Sequence, residues 1–302
     1  MRVISDRIRS YGWLWISLPL VVAGALTIGF LPWETAGAPL LMVLLTGAAA
    51  LGWVLRDSPM EERRFVLRLF LVALGVRLLA TVLFYWATAG DPQYLYKDAT
   101  GYERVAWILA QAWHNHGILP EPLGRLAWIQ DDMYPRALAG LYYVVGRSPG
   151  AAVAFNAVLG ALAAYLIYRI GAILLGPVPA RWAGWLTAFY TGFWLWGMMV
   201  MKDILFLFFI LLFFLAMYRF WYLLIQADFS RRRILRLIGW GLVMILTWIG
   251  AGAIRDTANY ARSALAVAAA ALPVAWFLRS AKIGRWLLIL AAGAIFLALI
   301  WP

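Results

Sequence analysis

Two acidic positions stand out in a chain that offers little other chemistry. Asp98, in the run YLYKDATGY, opens a stretch of helical periodicity, so its simplest role is to cap a helix by accepting backbone N–H bonds. A cap also fixes its own carboxylate, and a carboxylate fixed at a membrane surface can act as a general base. Asp203, in MMVMKDILFLFF, lies in a very short turn between two long apolar runs, with Lys202 beside it to neutralise it. At or below the interface such an ionisable pair is costly, which makes it a functional candidate. Arg255 and Asp256, in IRDTANYAR, either form a local ion pair or leave Arg255 and Arg262 to hold an anion. Arg77 lies deep in an apolar run, where it faces a polar cavity or pairs internally, since snorkelling that far is a long reach. His114 and His116 are two residues apart and so do not share a helix face; no metal site is expected there. P-loop, GxGxxG, HExxH and GxSxG patterns are all lacking, which leaves ATP-driven, zinc and serine hydrolysis without support.

The composition says what must position these residues. Of the 302 residues 65% are apolar and only 13% charged, against roughly 25% charged in an ordinary soluble domain. A water-facing surface cannot be built from such a chain, which excludes a soluble enzyme, a disordered tail and a nucleic-acid-binding domain. The chain lacks cysteine, so disulfides and thiolate metal sites are excluded as well. Its 18 Trp, 14 Tyr and 16 Phe suit the interfacial belts of a bilayer.

Apolar stretches long enough to cross as helices fall at 12–31, 38–55, 65–88, 150–175, 181–200, 204–226, 236–253, 261–278 and 285–301. The expected fold is therefore all-α and polytopic, with about nine spans. The first stretch has a longer apolar core than the ~7–15 residues of a signal peptide and is expected to stay as an anchor. With the N-terminus cytoplasmic, 17 of the 26 cations fall inside and eight outside, Arg77 lying within a span, while nine of the 14 acids fall outside. That bias supports the orientation. The net charge of +12 is then mostly a cytoplasmic rim and does not speak for nucleic acid. Residues 135–147 are apolar but too short to span, and are expected to lie on the outer membrane surface.

The outer connection, 89–149, is the one long polar loop, and long loops in compact domains tend to be functional. From Asp98 to His114 it reads as an amphipathic helix with Tyr102, Val105, Ala106, Leu109 and Trp113 on one face and Glu103 and Arg104 off it. Pro120 and Pro122 end it, and Asp131-Asp132 precede Tyr134-Pro135 and the second, interfacial segment.

In order along the chain come a span with an internal Arg (LVALGVRLLATVLF), Asp98-Ala99-Thr100-Gly101-Tyr102 in the outer loop, and Tyr134-Pro135 before an interfacial segment. The run FNAVLGALAAYLIYRIGAILLG follows, and then a span ending in Lys202-Asp203. This order resembles the GT-C superfamily of polytopic glycosyltransferases, which includes protein O-mannosyltransferases and aminoarabinose transferases. The resemblance covers roughly 65–226, where it implies a core module, preceded by a two-helix extension over 1–64 and followed by a three-helix segment over 227–302. It implies a sugar donor on a polyprenyl phosphate and a lipid, glycan or protein acceptor at the outer face. In that role Asp98 deprotonates the acceptor hydroxyl, which attacks the anomeric carbon with inversion. Asp203 is the second carboxylate and orients the acceptor or a cation; no cofactor is otherwise called for. Lys202, Arg255 and Arg262 offset the charge of the departing phosphate, with Lys97, Arg104 and Arg136 as alternatives, and Tyr102 and Tyr134 line the substrate. Two other readings compete. The small-residue faces around Gly160-Ala161 and Ala163-Ala164 suit a non-catalytic subunit docked on a membrane-protein partner. A transporter would be expected to show two related halves, and no inverted repeat is seen.

Overall fold

The computed structural model describes residues 33–88, 97–117, 133–225 and 230–254, and among these all regular structure is helical. A π-helical turn (Trp33–Gly37) leads into α1 (Ala38–Asp57). Then follow α2 (Arg63–Ala87), α3 (Lys97–His114), α4 (Met133–Val145), α5 (Pro149–Leu174), α6 (Pro177–Phe189), α7 (Thr191–Gly197), α8 (Asp203–Ile225) and α9 (Arg231–Ile254). Five of them, α1, α2, α5, α8 and α9, are long and apolar enough to cross a bilayer. These match the expected spans at 38–55, 65–88, 150–175, 204–226 and 236–253, except that α9 begins earlier and takes Arg231–Arg233 into its first turn. The expected spans at 12–31, 261–278 and 285–301 lie outside the described residues.

The span expected at 181–200 is not one helix. Tyr190, with extended backbone at φ −69° and ψ 115°, separates α6 of 13 residues from α7 of seven. Neither piece reaches the roughly 20 residues that a crossing helix needs. The ladder stops here because its last carbonyls find other donors. Arg77 Nη2 donates to Thr187 O at 3.2 Å, Arg77 Nη1 to Ala188 O at 3.3 Å, and Trp194 Nε1 to Ala188 O at 2.9 Å. Unwound backbone is tolerated at membrane depth only where protein groups satisfy it in this way.

Helix starts and stops follow local chemistry. Pro39 sits in the first turn of α1, where its missing N–H costs nothing, and Ser58 ends that helix in extended backbone ahead of Pro59. Ser148 caps α5: its Oγ accepts the Ala151 N–H at 3.3 Å and donates to Glu34 O at 2.7 Å. The segment at 135–147, expected to be interfacial, forms α4, whose 13 residues are about 20 Å long and too short to span.

The described residues divide into two compact units. The first holds 33–88, 97–117, 135–165 and 184–204. In it, Val66, Leu69, Phe70, Ala73 and Arg77 form one buried stripe of α2 at helical spacing. At one end of α1, Tyr165 Oη donates to Asp57 Oδ2 at 2.7 Å and lies 3.2 Å from Ser58 Oγ. At its other end Pro39 packs on Gly150, where an added Cβ would lie 2.8 Å from Pro39 Cγ.

The second unit holds 133–134, 166–183, 205–225 and 230–254. Here α8 and α9 form an antiparallel hairpin. Phe209 packs at Gly250, Phe213 on Trp248, Arg219 on Trp240 and Phe220 at Gly241, so partners advance in opposite directions. Its core is Phe206, Ile210, Phe213, Phe214 and Met217 of α8 against Ala251 and Ile254 of α9. Arg233 closes the far end by donating Nε at 2.9 Å, together with Nη2, to Leu223 O near the end of α8.

Candidate functional site at the head of α3

The site lies wholly in the first unit and is built from α3, the turn before α8, and the start of α5. Helix α3 has the expected amphipathic character, but its buried face is wider than the expected stripe. Tyr102, Val105 and Ala106 are buried as expected, together with Ala99, Glu103, Ile108, Ala110 and Ala112, whereas Trp113 is exposed. The helix ends in a left-handed turn, with His116 at φ 54° and Gly117 at φ 90°, and Gly117 N–H closes on Ala112 O at 2.7 Å. His114 stacks on Tyr143 with ring centroids 4.2 Å apart. Among the described residues no group of His, Asp and Glu could hold a metal.

Glu103 is the main departure on this helix. Expected off the apolar face, it is buried, and its carboxylate accepts two bonds from Arg147: Nε to Oε1 at 2.9 Å and Nη2 to Oε2 at 3.0 Å. This bidentate pair ties α3 to the turn between α4 and α5. The bonded carboxylate holds the Arg147 guanidinium above its ordinary pKa, against a smaller desolvation that lowers it. Trp107 lies beneath the same guanidinium, 6.0 Å from its ring centroid, and meets Tyr142 edge to face.

At the other end of α3, Lys97 and Asp98 are exposed. Asp98 falls inside the first turn and not ahead of it as a cap would, and in that position the carboxylate still meets the positive end of the helix. Among the described residues it has no hydrogen-bond or ion-pair partner. Tyr102 is one turn further on, on the same face of the helix. Its ring is buried, and Lys202 Nζ stands 5.2 Å from the ring centroid. At that range an ammonium is attracted to the ring face. Asp203, half-buried, opens α8, again at a positive helix end.

The turn carrying Lys202 is held from α5. Asn156 is buried, and its Nδ2 donates to Met199 O at 3.1 Å and to Met201 O at 3.2 Å. One turn along α5, Gly160 leaves room for Arg77. A Cβ there would collide with Arg77 Nε and lie 2.9 Å from its Cδ. Thus Asn156 and Gly160 fix successive levels of the broken segment, Gly160 through Arg77 at Thr187–Ala188 and Asn156 directly at 199–201. In the sequence Asn156 appears only within the run FNAVLG, and Gly160 reads as part of a small-residue docking face; neither is expected to hold the broken span. The usable signal was an asparagine, with four acceptor and donor sites to satisfy, inside an alanine-rich apolar helix.

The structure therefore brings Tyr102 and Lys202 together and sets Asp98 and Asp203 at the adjoining helix heads. Arg104 is exposed about 200° around α3 from Tyr102. Tyr134 is buried and Arg136 exposed on α4. Arg255 and Arg262 lie outside the described residues.

Fold and site together define an integral membrane protein, all-helical in its described part, with a cation and two carboxylates at adjoining helix ends. Compared with family models, with curated proteins and with solved structures, the chain matches none.

Proposed function

We propose that the chain is a membrane glycosyltransferase that moves a sugar from a polyprenyl-phosphate donor to an acceptor at the outer membrane face. One observation carries this reading: Lys202, with Asp203 beside it, stands on the ring of Tyr102, one turn from Asp98 on the same helix. A carboxylate base and a cation for a phosphate are then neighbours at helix ends, which is what transfer from a lipid phosphate requires. The core module at 65–226 and the roles of the residues rest on the resemblance to GT-C enzymes, and the outward orientation of this end rests on the cation bias along the chain.

On this reading the Asp98 carboxylate takes the proton of the acceptor hydroxyl. The freed oxygen attacks the anomeric carbon as the bond to the donor phosphate breaks, with inversion. The polyprenyl phosphate leaves with the bonding pair, and Lys202, with Arg255 and Arg262, offsets its charge. Asp203 orients the acceptor. The donor's tail stays in the bilayer throughout, so only its headgroup must reach the site.

The test uses the full chain in proteoliposomes with a set of polyprenyl-phosphate sugars, following release of polyprenyl phosphate. Asp98→Asn should lower transfer by roughly 10²–10⁴-fold, the usual contribution of a general base, at unchanged folded yield. Near-normal transfer by that variant refutes the assignment of the base. No transfer by the unaltered chain, with stable co-purification of a second polytopic protein, favours the subunit reading instead.

A further inference from the structure

The second unit has a charge pattern that its packing uses only in part and the proposed transfer not at all. Its described residues include seven arginines (Arg169, Arg181, Arg219, Arg231, Arg232, Arg233 and Arg236) and no acid or lysine. Four of these crowd the first two turns of α9. A cation near a helix N-terminus works against the helix dipole, so four in succession there do not serve the stability of the helix. One has a structural use, since Arg233 is buried and bonded to Leu223 O. Arg231, Arg232 and Arg236 are exposed, and among the described residues they have no hydrogen-bond or ion-pair partner. Across 226–236, the sequence QADFSRRRILR sets four arginines against one acid, Asp228.

Their position on the helix says what would meet them. Arg231 shares a face with Ile238, Leu242 and Ile249, all exposed. From Arg231 to Ile249 is about 27 Å of helix, close to the roughly 30 Å depth of the hydrocarbon layer. An apolar stripe of membrane depth that ends in Arg231, with Arg232 and Arg236 exposed about 100° and 140° further round the same helix end, matches a lipid with acyl chains along the stripe and a charged phosphate at its end. Guanidinium groups bind phosphate oxygens bidentately and are more weakly hydrated than ammonium groups, which suits a headgroup site.

We infer that Arg231, Arg232 and Arg236 form a binding site for an anionic phospholipid headgroup in the leaflet that meets the start of α9. The inference is independent of the glycosyltransferase reading and survives its failure.

The full chain is reconstituted in phosphatidylcholine vesicles doped with spin-labelled phosphatidylglycerol, and the fraction of label immobilised on the protein is compared with that of labelled phosphatidylcholine. The unaltered chain should prefer phosphatidylglycerol. Arg232→Gln and Arg236→Gln, each keeping three of the four arginines and hence the orientation in the membrane, should each reduce the preference by about five-fold. Arg232→Lys should lose less than Arg232→Gln, and soluble glycerophosphate should not displace the lipid. An equal preference for the two lipids, an unchanged preference in both glutamine variants, a lysine variant as poor as the glutamine one, or displacement by glycerophosphate would each overturn the site.

Discussion

The contact between Gly160 and Arg77 allows a sharp test of how the broken span is held. Adding one methyl group, Gly160→Ala, puts a Cβ in collision with Arg77 Nε and 2.9 Å from its Cδ. Arg77 has little room to yield: it is 1% exposed and bonded to Ala73 O at 2.9 Å as well as to Thr187 and Ala188. If the guanidinium shifts and keeps its bonds, the cost is overpacking, about 1–3 kcal/mol. If it is displaced, charge-assisted bonds of about 1.5–3 kcal/mol each are lost and a buried cation is left short of partners. Such losses are not additive, and about 2–5 kcal/mol is expected, near the cost of breaking a buried ionic interaction. At roughly 2–4 °C per kcal/mol the midpoint of thermal unfolding in mild detergent should fall by at least about 4 °C. A second background isolates the cause. In Arg77→Met the guanidinium is gone, and Gly160→Ala should cost less than about 1 kcal/mol there, leaving a coupling of at least about 1 kcal/mol between the two positions. An equal cost in both backgrounds, or no cost in the unaltered chain, would refute the account of why glycine stands at 160.

Two further outcomes follow from the site. Asn156→Leu removes the donors to Met199 and Met201 while keeping the branched side-chain shape and should cost about 2–6 kcal/mol, at 1–3 kcal/mol for each of the two carbonyls left unsatisfied. Amide exchange across 198–203 should quicken, and unchanged exchange would show that Asn156 does not hold that turn. In the Glu103–Arg147 pair, the Arg147 side chain is 49% exposed and Glu103 only 7%. Glu103→Gln leaves an arginine that water can serve and should cost only about 1 kcal/mol. Arg147→Ala leaves a buried carboxylate and should cost more, about 2–3 kcal/mol; the reverse order in chemical denaturation would count against the burial argument.

Much of this architecture could be read from residue order alone. Length and apolarity locate α1, α2, α5 and α8 to within a few residues, because a crossing helix must satisfy its own backbone and so must be long and apolar. The period of α3 gave its helix and one side of its core. What the sequence could not supply were the long-range partners. Nothing in the spacing links Glu103 to Arg147, or Arg77 to carbonyls more than a hundred positions away. The break at Tyr190 was hidden for the same reason. Residues 181–200 are apolar enough for a span, and the donors that let the helix stop come from α2 and from Trp194. In the site, Asp98, Lys202 and Asp203 were visible as rare charges in an apolar chain. The contact of Lys202 with Tyr102 depends on how Asn156 and Gly160 hold the chain between them, and side-chain reach of that kind leaves no period to detect.

The broken span also bears on how the protein is made. Arg77 enters the membrane with α2, and a charged residue at mid-helix costs about 2.5–3.5 kcal/mol to insert. Its acceptor at Thr187 is 110 residues later in the chain. At roughly 5–20 residues per second of synthesis, that acceptor emerges about 5–20 s after Arg77. Through that interval α2 carries a cation whose only bond from this set is to Ala73, a turn back on its own helix. The segment that relieves it, two helices each too short to cross unaided, itself needs Arg77 to satisfy its exposed carbonyls. Insertion of the two halves is thus mutually dependent, with the earlier helix waiting for the later one.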